Sequence, residues 1–324
     1  MILIADSGST KTDWVLRPAP DDGTQPFEGI CNPQYSFQTQ GINPIHLNDE
    51  QIAAILATVR QWLSSLPSPS TLHPSPSTLH PSPSTLHPSP STILFYGSGV
   101  RPDQEERMER LLREAFLPLT PHASPLTPHH TPLTPHLTIE AHSDLLGAAR
   151  ALCGHSEGLA CILGTGANSC LYDGQHIVAN TPPLGYILGD EGSGAVLGKM
   201  FLNALYKGCL SDGLKNDFEA EMQMTLTEVI ERVYRQPLPN RWLASLSPFI
   251  HSRLADPAVE ALVTDNFSAF IARNIELYHR RDLPLNVVGS IAFYYKDQLL
   301  QAARKAGYAV GKILRSPLEL PGTC

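Results

Sequence analysis

One pattern, a strand followed by a glycine turn and a second strand, occurs twice in this chain and restricts the fold more than any other feature. Apolar runs enclose the turn at residues 6–12 near the start and Gly164-Thr165-Gly166 halfway along. Short apolar runs bounded by turn residues predict buried strands. The recurrence predicts two similar α/β halves, with a ligand expected in the cleft between them.

Helical periodicity lies between and after these strands. Apolar residues repeat every three to four positions over 49–63, where Asn48 stands in place to cap the helix, and again over 103–116. Apolar runs predict further strands at 92–96, 137–141 and 285–288. In the second half, the pattern predicts continuous helices over 193–207, 219–234, 257–280 and 294–306.

Two proline-rich tracts interrupt the first half. Residues 67–92 repeat the letters PSPSTLH, and residues 120–136 have the same character. Two prolines in every unit exclude a helix or a coiled-coil heptad there. We interpret both tracts as loop insertions, because longer surface connections cost little closure entropy. Around them we predict an N-terminal domain of residues 1–140 and a C-terminal domain of residues 141–324.

Composition narrows the classes of function. The formal net charge is −8, which argues against a nucleic-acid or anionic-membrane partner. Apolar runs are too short to predict a membrane helix or a secretion signal. The six cysteines show no Cys-x-x-Cys pairing that would indicate a zinc site. A reducing cytoplasm is therefore the expected location.

The two glycine turns are candidate phosphate-binding sites. The turn from Asp6 to Thr12 reads DSGSTKT, which offers backbone N–H groups and hydroxyls to a phosphate while Asp6 faces a cation. A plain hairpin turn explains the same letters. Gly164-Thr165-Gly166 has the same shape, and its small residues let an anion approach the backbone. Two such turns at the heads of two similar halves together favour nucleotide phosphates.

Three further segments follow strands. Asp144 begins a helical pattern, so it is either a helix cap or a general base that accepts a hydroxyl proton in phosphoryl transfer. The segment from Gly185 to Gly194 places two carboxylates among glycines, which favours a substrate loop over a capped helix start. Gly289-Ser290 either ends a strand or lets adenine or ribose pack on bare backbone.

In this order, four motifs resemble those of the N-acetylglucosamine kinase family, also described as BadF/BadG/BcrA/BcrD-type ATPases, in the superfamily of actin, sugar kinases and heat-shock ATPases. The motifs are Asp6 to Thr12, Gly164 to Gly166, Gly189 to Gly194 and Val288 to Ser290. The resemblance implies an α/β fold of two ribonuclease-H-like (actin-like ATPase) domains around a central nucleotide and sugar cleft. It also implies ATP and Mg²⁺ as cofactors, phosphorylation of the 6-hydroxyl of an N-acetylated amino sugar and, by analogy, a homodimer.

The resemblance further implies roles for single residues. Asp144 would be the base at the sugar O6, and Asp6 would organise Mg²⁺. Thr10 and Thr165 would contact phosphates. The other residues expected to bind ATP are Ser9, Lys11, Gly164, Gly166, Gly289 and Ser290. The residues expected to bind the sugar, besides Asp144, are Asn43, Asn168, Gly185 and Asp190.

Three alternatives stay open at this level. Pro183-Leu184-Gly185 stands where many family members have Gly-Trp-Gly, so glucosamine and N-acetylmuramic acid compete with N-acetylglucosamine as the sugar. An ATPase that activates a 2-hydroxyacyl-CoA dehydratase would need a cysteine-bound iron–sulfur cluster, for which Cys153 and Cys161 form a near pair. A protein that kept the fold and binds its ligands without catalysis is the third.

Overall fold

The computed structural model describes residues 1–18, 35–66, 90–117 and 137–318. The two proline-rich tracts lie outside these residues, except for 90–92. The chain divides after Gly147 into two compact units. The domain boundary expected at residue 140 falls earlier than this point, so Asp144 belongs to the first unit.

The first unit contains a five-stranded sheet covered by helices. Its strands are Ile2–Ser7 (β1), Lys11–Arg17 (β2), Tyr35–Gln40 (β3), Thr92–Gly97 (β4) and Thr138–Ser143 (β5). Its helices are Asp49–Ser65 (α1) and Pro102–Phe116 (α2), while Asp144–Cys153 (α3) runs through the point of division. The strand order is β3-β2-β1-β4-β5, in which β1, β4 and β5 are parallel and the other pairs are antiparallel.

Helix α1 forms as its periodicity predicts. The Gln51 N–H donates to Asn48 Oδ1 (2.9 Å) and the Asn48 N–H donates to Gln51 Oε1 (3.0 Å), which makes a capping box. One face of the helix is buried, through Ile52, Leu56, Val59 and Leu63. These side chains join the apolar core that includes the sheet residues Leu3, Ala5, Ile93 and Phe95.

The second unit repeats the topology of the first. Its strands are Gly158–Leu163 (β6), Ala167–Tyr172 (β7), Ile177–Thr181 (β8), Leu285–Val288 (β9) and Val310–Leu314 (β10). The order β8-β7-β6-β9-β10 and the strand directions match those of the first sheet, which confirms the α/β fold with two ribonuclease-H-like domains. That a ligand cleft separates them stays a prediction.

Nine α-helices of the second unit lie within the described residues. They are Gly185–Leu188 (α4), Gly194–Tyr206 (α5), Asp212–Met222 (α6), Leu226–Tyr234 (α7), Pro239–Ser245 (α8), Ser247–His251 (α9), Pro257–Phe270 (α10), Ser290–Tyr294 (α11) and Lys296–Lys305 (α12). They enclose an apolar core of their own, in which Phe201, Phe218 and Phe249 pack against one another. Of all the helices that the structure describes, none is long and apolar enough to cross a bilayer.

The predicted helix over 219–234 is wrong. Helix α6 ends before Gln223, whose φ of 50° is left-handed, and α7 begins after Thr225. The Thr225 N–H donates to Glu228 Oε2 (2.7 Å), and the Glu228 N–H donates back to Thr225 Oγ1 (3.4 Å). This Thr-x-x-Glu capping box is a helix start in the middle of the expected helix.

The helix predicted over 257–280 ends earlier, and the helix predicted over 294–306 begins later. Helix α10 gives way to one π-helical turn, Ile271–Ile275, and then to a 3₁₀ turn, Glu276–Tyr278. Asn274 Nδ2 donates to Phe270 O (3.3 Å), so a side chain enters the backbone ladder where the helix type changes. The last helix, α12, starts at Lys296 because a separate turn of helix, α11, precedes it.

Candidate active site

Two carboxylates share one edge of the first sheet. Asp6 is the penultimate residue of β1, and Asp144 follows the last residue of β5. Strands β1, β4 and β5 are parallel, and Asp6 is in register with Tyr96, which is in register with His142. Both aspartates therefore lie at the carboxyl ends of the strands, the edge where ligands bind in open α/β sheets.

The pKa of Asp6 rises from 3.8 to about 7. Burial is the largest cause, the negative charges of Asp144 and Asp13 add to it, and Lys11 opposes them. Because the Asp144 charge acts on Asp6, the structure brings the predicted metal ligand and the predicted base together. Two carboxylates whose charges interact favour a cation or a shared proton near them.

Asp144 is the first residue of α3, yet it is not the capping side chain. The Leu146 N–H donates to Ser143 Oγ (3.2 Å), so Ser143 is the N-cap residue and Asp144 is the first residue of the helix. Burial raises the pKa of Asp144 to about 6, against hydrogen bonds from the backbone N–H groups of Leu145 and of Asp144 itself. A carboxylate with this pKa accepts a proton near neutral pH.

The predicted phosphate turn connects β1 to β2. The Gly8 N–H donates to Lys11 O (3.0 Å), which closes the turn, and the Gly41 N–H donates to Thr10 O (3.2 Å). Ser9 is half-buried, whereas Thr10 and Lys11 are exposed. Lys11 Nζ pairs with the Asp13 carboxylate at 2.8 Å. The Thr10 hydroxyl and the Lys11 ammonium are thus at the surface, where a phosphate can reach them.

A buried hydroxyl pair, which the sequence analysis missed, supports this turn. Ser7 Oγ and Thr12 Oγ1 lie 2.7 Å apart, and the Ile42 N–H donates to both (2.9 and 3.2 Å). Ser7 Oγ also donates to Ile42 O (3.0 Å). Ser7 and Thr12 stand directly opposite each other on the antiparallel strands β1 and β2, so their hydroxyls share one face of the sheet and fix the segment that leads to Asn43. This pairing depends on the register of the two strands across the turn.

Asn43 is held from several sides. Its Oδ1 accepts the Ile45 N–H (2.9 Å), and Arg107 donates to Pro44 O (2.6 Å) and to Leu47 O (3.0 Å) just beyond it. Gly99 has a φ of +82°, and a Cβ there would clash with the Asn43 side-chain amide. The predicted sugar asparagine is therefore fixed beside the loop that follows β4.

In the second unit, the Gly164-Thr165-Gly166 turn is bonded to the start of α5. The Gly164 N–H donates to Gly166 O (3.0 Å) within the turn. The Gly194 N–H donates to Gly164 O (2.8 Å), and the Ala195 N–H donates to Thr165 O (3.2 Å). These bonds use two of the N–H groups that a helix start leaves unpaired, so α5 fixes the predicted phosphate turn.

Gly289 brings the other predicted ATP segment to the same turn. Its φ is +128°, and a Cβ there would clash with Leu163 O and come within 3.2 Å of the Gly164 N. The Gly289 N–H donates to Leu314 O (2.9 Å). Ser290 is exposed. The two stretches predicted to bind ATP in this unit are therefore neighbours, and glycine is required where they touch.

Asp190, a predicted sugar contact, lies against the turn of residues 164–166. Its backbone is left-handed, with a φ of 56°. Its carboxylate accepts the N–H groups of Ala167 and Gly185, and its pKa is raised because burial outweighs these bonds. A Cβ on Gly166 would lie 3.0 Å from Asp190 Oδ2. Gly185 and Asp190, predicted separately as sugar contacts, are thus joined by a hydrogen bond.

Asn168 follows the turn on β7. Its Oδ1 accepts the Ser169 N–H (2.9 Å) and Asn180 Nδ2 (2.9 Å), so a neighbouring strand fixes its orientation. Asn168 lies one residue beyond Ala167, whose N–H binds Asp190.

The predicted residues divide between the two units. The first unit contains Asp6, Ser9, Thr10, Lys11, Asn43 and Asp144, and the second contains Gly164, Thr165, Gly166, Asn168, Gly185, Asp190, Gly289 and Ser290.

Comparison with known proteins identifies the family. A solved structure from Porphyromonas gingivalis, described as a "putative N-acetylglucosamine kinase", is 41% identical to this chain, with coverage of 98% of this chain and 96% of that one and a TM-score of 0.79. This chain belongs to the N-acetylglucosamine kinase family. The resemblance drawn from the four motifs is therefore confirmed.

More distant structures share the family's fold. A protein of the same description from Chromobacterium violaceum is 18% identical over 98% of this chain and 95% of its own, with a TM-score of 0.60. A ROK family transcriptional regulator, described as a homolog of E. coli MLC, is 10% identical over 97% of this chain and 74% of its own, with a TM-score of 0.53. A scan against family models and a search of curated proteins gave no match.

The four cysteines that the structure describes, Cys153, Cys161, Cys170 and Cys209, form no disulfide. Cys161 and Cys170 are buried in the second unit, and burial raises the pKa of Cys161 and raises that of Cys170 to about 12. Burial also raises the pKa of Cys153 to about 11. The described part of the chain holds no group of three or more His, Cys, Asp or Glu side chains arranged for a metal.

Proposed function

We propose that this protein is an ATP-dependent kinase that phosphorylates the 6-hydroxyl of an N-acetylated amino sugar, with N-acetylglucosamine as the substrate. Family membership supports the sugar kinase class. The main observation in favour of this reaction is the pair formed by Asp6 and Asp144. Both residues lie at the carboxyl ends of parallel strands, and the pKa values of both are raised. Phosphoryl transfer to a hydroxyl needs a base and a cation ligand in this relation.

Asp144 acts as the general base. As the sugar O6 forms a bond to the γ-phosphorus, the bond from that phosphorus to the β–γ bridging oxygen breaks, and ADP leaves with the electron pair. The O6 proton passes to the Asp144 carboxylate, whose pKa of about 6 lets it act as a base at neutral pH. A general base contributes roughly 10²- to 10⁴-fold, and positioning and electrostatics supply most of the remainder.

The residues of the first unit fit a magnesium ion. Mg²⁺ takes one or two carboxylates, with water and substrate phosphates as its other ligands. The half-buried Asp6 carboxylate, which is desolvated and repelled by Asp144 and Asp13, is a donor whose ionised form a divalent cation would stabilise. When bound, the ion neutralises charge on the phosphates. Asp6 would hold it, and the Thr10 hydroxyl and the Lys11 ammonium would contact ATP.

The second unit supplies backbone groups and sugar contacts. Thr165 and its two glycines would bind phosphates through a turn that α5 holds rigid, and Gly289 and Ser290 would line the adenosine. Asp190 and Gly185, joined by a hydrogen bond, would bind sugar hydroxyls. A half-buried carboxylate that binds a sugar hydroxyl disfavours a sugar that lacks this hydroxyl, because its desolvation then has no compensation.

A coupled assay for ADP release tests this function. N-acetylglucosamine, glucosamine, N-acetylmuramic acid and glucose are compared, with 6-deoxy-N-acetylglucosamine as the matched control. We expect the highest kcat/KM for N-acetylglucosamine, no turnover of the 6-deoxy sugar, and a product that phosphorus NMR assigns to O6. A higher kcat/KM for another sugar would show that the substrate is that sugar. Absence of sugar-dependent ADP release with all of them would reject the kinase and favour a protein that binds its ligands without catalysis.

A further inference from the structure

The segment that replaces the expected long helix faces the substrate loop. Helix α10 carries Asn266, and the π-helical turn after it carries Arg273 and Asn274. All three side chains bond to the loop of residues 189–194, which holds Asp190. Single π-helical turns occur often at functional sites, and this one brings two polar side chains to the same loop.

Asn266 makes the central contact. Its side chain is fully buried, and both of its amide atoms are used. The Gly192 N–H donates to Asn266 Oδ1 (2.9 Å), and Asn266 Nδ2 donates to Ser193 O (3.2 Å). One asparagine therefore satisfies a backbone donor and a backbone acceptor of the loop, neither of which has solvent as an alternative.

The loop needs such support because its backbone is unfavourable. Asp190 and Gly192 both have left-handed φ, at 56° and 83°. A non-glycine residue in that region costs roughly 1–2 kcal/mol, and such conformations persist where the surroundings determine them. Glu191, between the two, is bonded to Arg273 Nη1 (2.8 Å) and to Asn274 Nδ2 (3.4 Å).

The same segment also bonds to β7, which carries Asn168, and to its neighbour β8. Thr181 Oγ1 donates to Asn274 O (2.9 Å), and the Tyr278 hydroxyl donates to Ser169 O (2.8 Å). Residues 266–278 thus contact two of the stretches that contain predicted sugar residues. They lie far from both in the sequence, so no local motif marks them.

We propose that Asn266 is a positioning residue for sugar binding: it holds the backbone of Gly192 and Ser193 so that Asp190 presents its carboxylate to the sugar. The inference rests on the proposed function, since it takes Asp190 as a sugar contact. Loss of the asparagine leaves two buried backbone groups unpaired and removes a restraint on the left-handed backbone of Asp190 and Gly192.

Asn286 provides a matched control. It is also a buried asparagine of the second unit that bonds to backbone through both amide atoms, donating to Pro284 O (3.2 Å) and accepting the Lys312 N–H (2.9 Å). None of its described contacts involves residues 189–194. Asn266→Ala and Asn286→Ala should therefore destabilise the protein similarly, while only the first moves Asp190.

The experiment measures the melting temperature and the steady-state constants of the full chain for both variants. For Asn266→Ala we expect kcat/KM for the sugar to fall about ten- to hundredfold, while KM for ATP changes less than threefold. For Asn286→Ala we expect sugar constants close to wild type. Equal sugar constants in the two variants at equal loss of melting temperature would overturn the inference.

Two further arms keep the outcomes separable. If an alanine variant does not fold, the Asn266→Ser and Asn286→Ser pair leaves room for a bridging water and is compared in the same way. Wild-type protein without sugar-dependent ADP release would reject the proposed function itself. Active wild-type protein with an unaffected Asn266 variant would reject only the positioning role.

Discussion

Gly99 packs against the side-chain amide of Asn43, and the glycine is required there on two counts. Its φ of +82° is left-handed, and a Cβ would clash with the amide. The two residues come from different loops: Asn43 follows Ile42, which is bonded to Ser7 at the end of β1, and Gly99 follows β4, the parallel neighbour of β1. The contact sets the position of the asparagine that the proposed function assigns to the sugar.

Gly99→Ala is expected to raise KM for the sugar about tenfold, because the new methyl group displaces Asn43. Gly307→Ala is the control, since its φ of +81° is nearly the same and no atom lies within 4 Å of the added Cβ. Both variants should lose roughly 1–2 kcal/mol of stability from the left-handed backbone. Steady-state kinetics and thermal melts check this, and a similar sugar KM in the two variants would contradict it.

Asp144→Asn should lower kcat roughly 10²- to 10⁴-fold, because the amide cannot accept the O6 proton. Sugar binding, measured by calorimetry, should change far less. Glu140→Gln, four residues earlier on β5, is a carboxylate-removing control that should leave kcat near wild type. A catalytically silent binding protein would show no difference between the two variants.

The decrease of kcat/KM at acidic pH should reflect the protonation of Asp6 and Asp144. The base must be ionised to act, and the pKa values of the two groups are about 7 and about 6. We therefore expect kcat/KM to fall as pH drops below about 7, and to fall more steeply below about 6, with apparent values that belong to the pair. A profile that is flat down to about pH 5 would argue against Asp144 as the base.

Asp6→Asn should stabilise the metal-free protein while it abolishes activity. The pKa of Asp6 is raised from 3.8 to about 7 in the folded state, so the free energy of unfolding decreases as pH rises from about 4 to about 7. Asparagine mimics the protonated form and escapes that loss. In EDTA we expect a melting temperature higher by a few degrees at about pH 8 and a smaller gain at about pH 4.5.

Asp49→Asn is the control of opposite sign. Hydrogen bonds from Arg110 and Arg107 lower the pKa of Asp49, so its ionised form favours the folded state at neutral pH. The asparagine variant should be no more stable than wild type at about pH 8. If Asp6→Asn melts below wild type at that pH, the carboxylate is not under the burial and repulsion described here.

Much of the site could be predicted because its motifs are local. The DSGSTKT turn, Gly164-Thr165-Gly166 and Gly289 each follow a strand, and a strand that ends in small residues is visible in a single stretch of sequence. The position of Asp144 also suits a helix cap, and the hydrogen bond from the Leu146 N–H to Ser143 Oγ was needed to show that Ser143 is the cap. The role of Asp144 as a base stays a prediction.

The residues missed by sequence analysis act over long separations. Asn266 bonds to Gly192 from 74 positions away, and Ser7 bonds to Ile42 from 35. The break of the expected helix at Ile271 has the same origin, because Asn274 and Arg273 turn toward Glu191 rather than continue the 3.6 period.

The sequence by itself determined the types of the elements and the twofold recurrence of strand, glycine turn and strand, because periodicity and turn chemistry act over a few neighbouring residues. Only the tertiary structure decided which polar side chains are buried against which loop. It also decided that the charge of Asp144 raises the pKa of Asp6 and that Gly99 lies beside Asn43. Such pairings depend on the order of strands in the two sheets, and burial then fixes their pKa values and conformations.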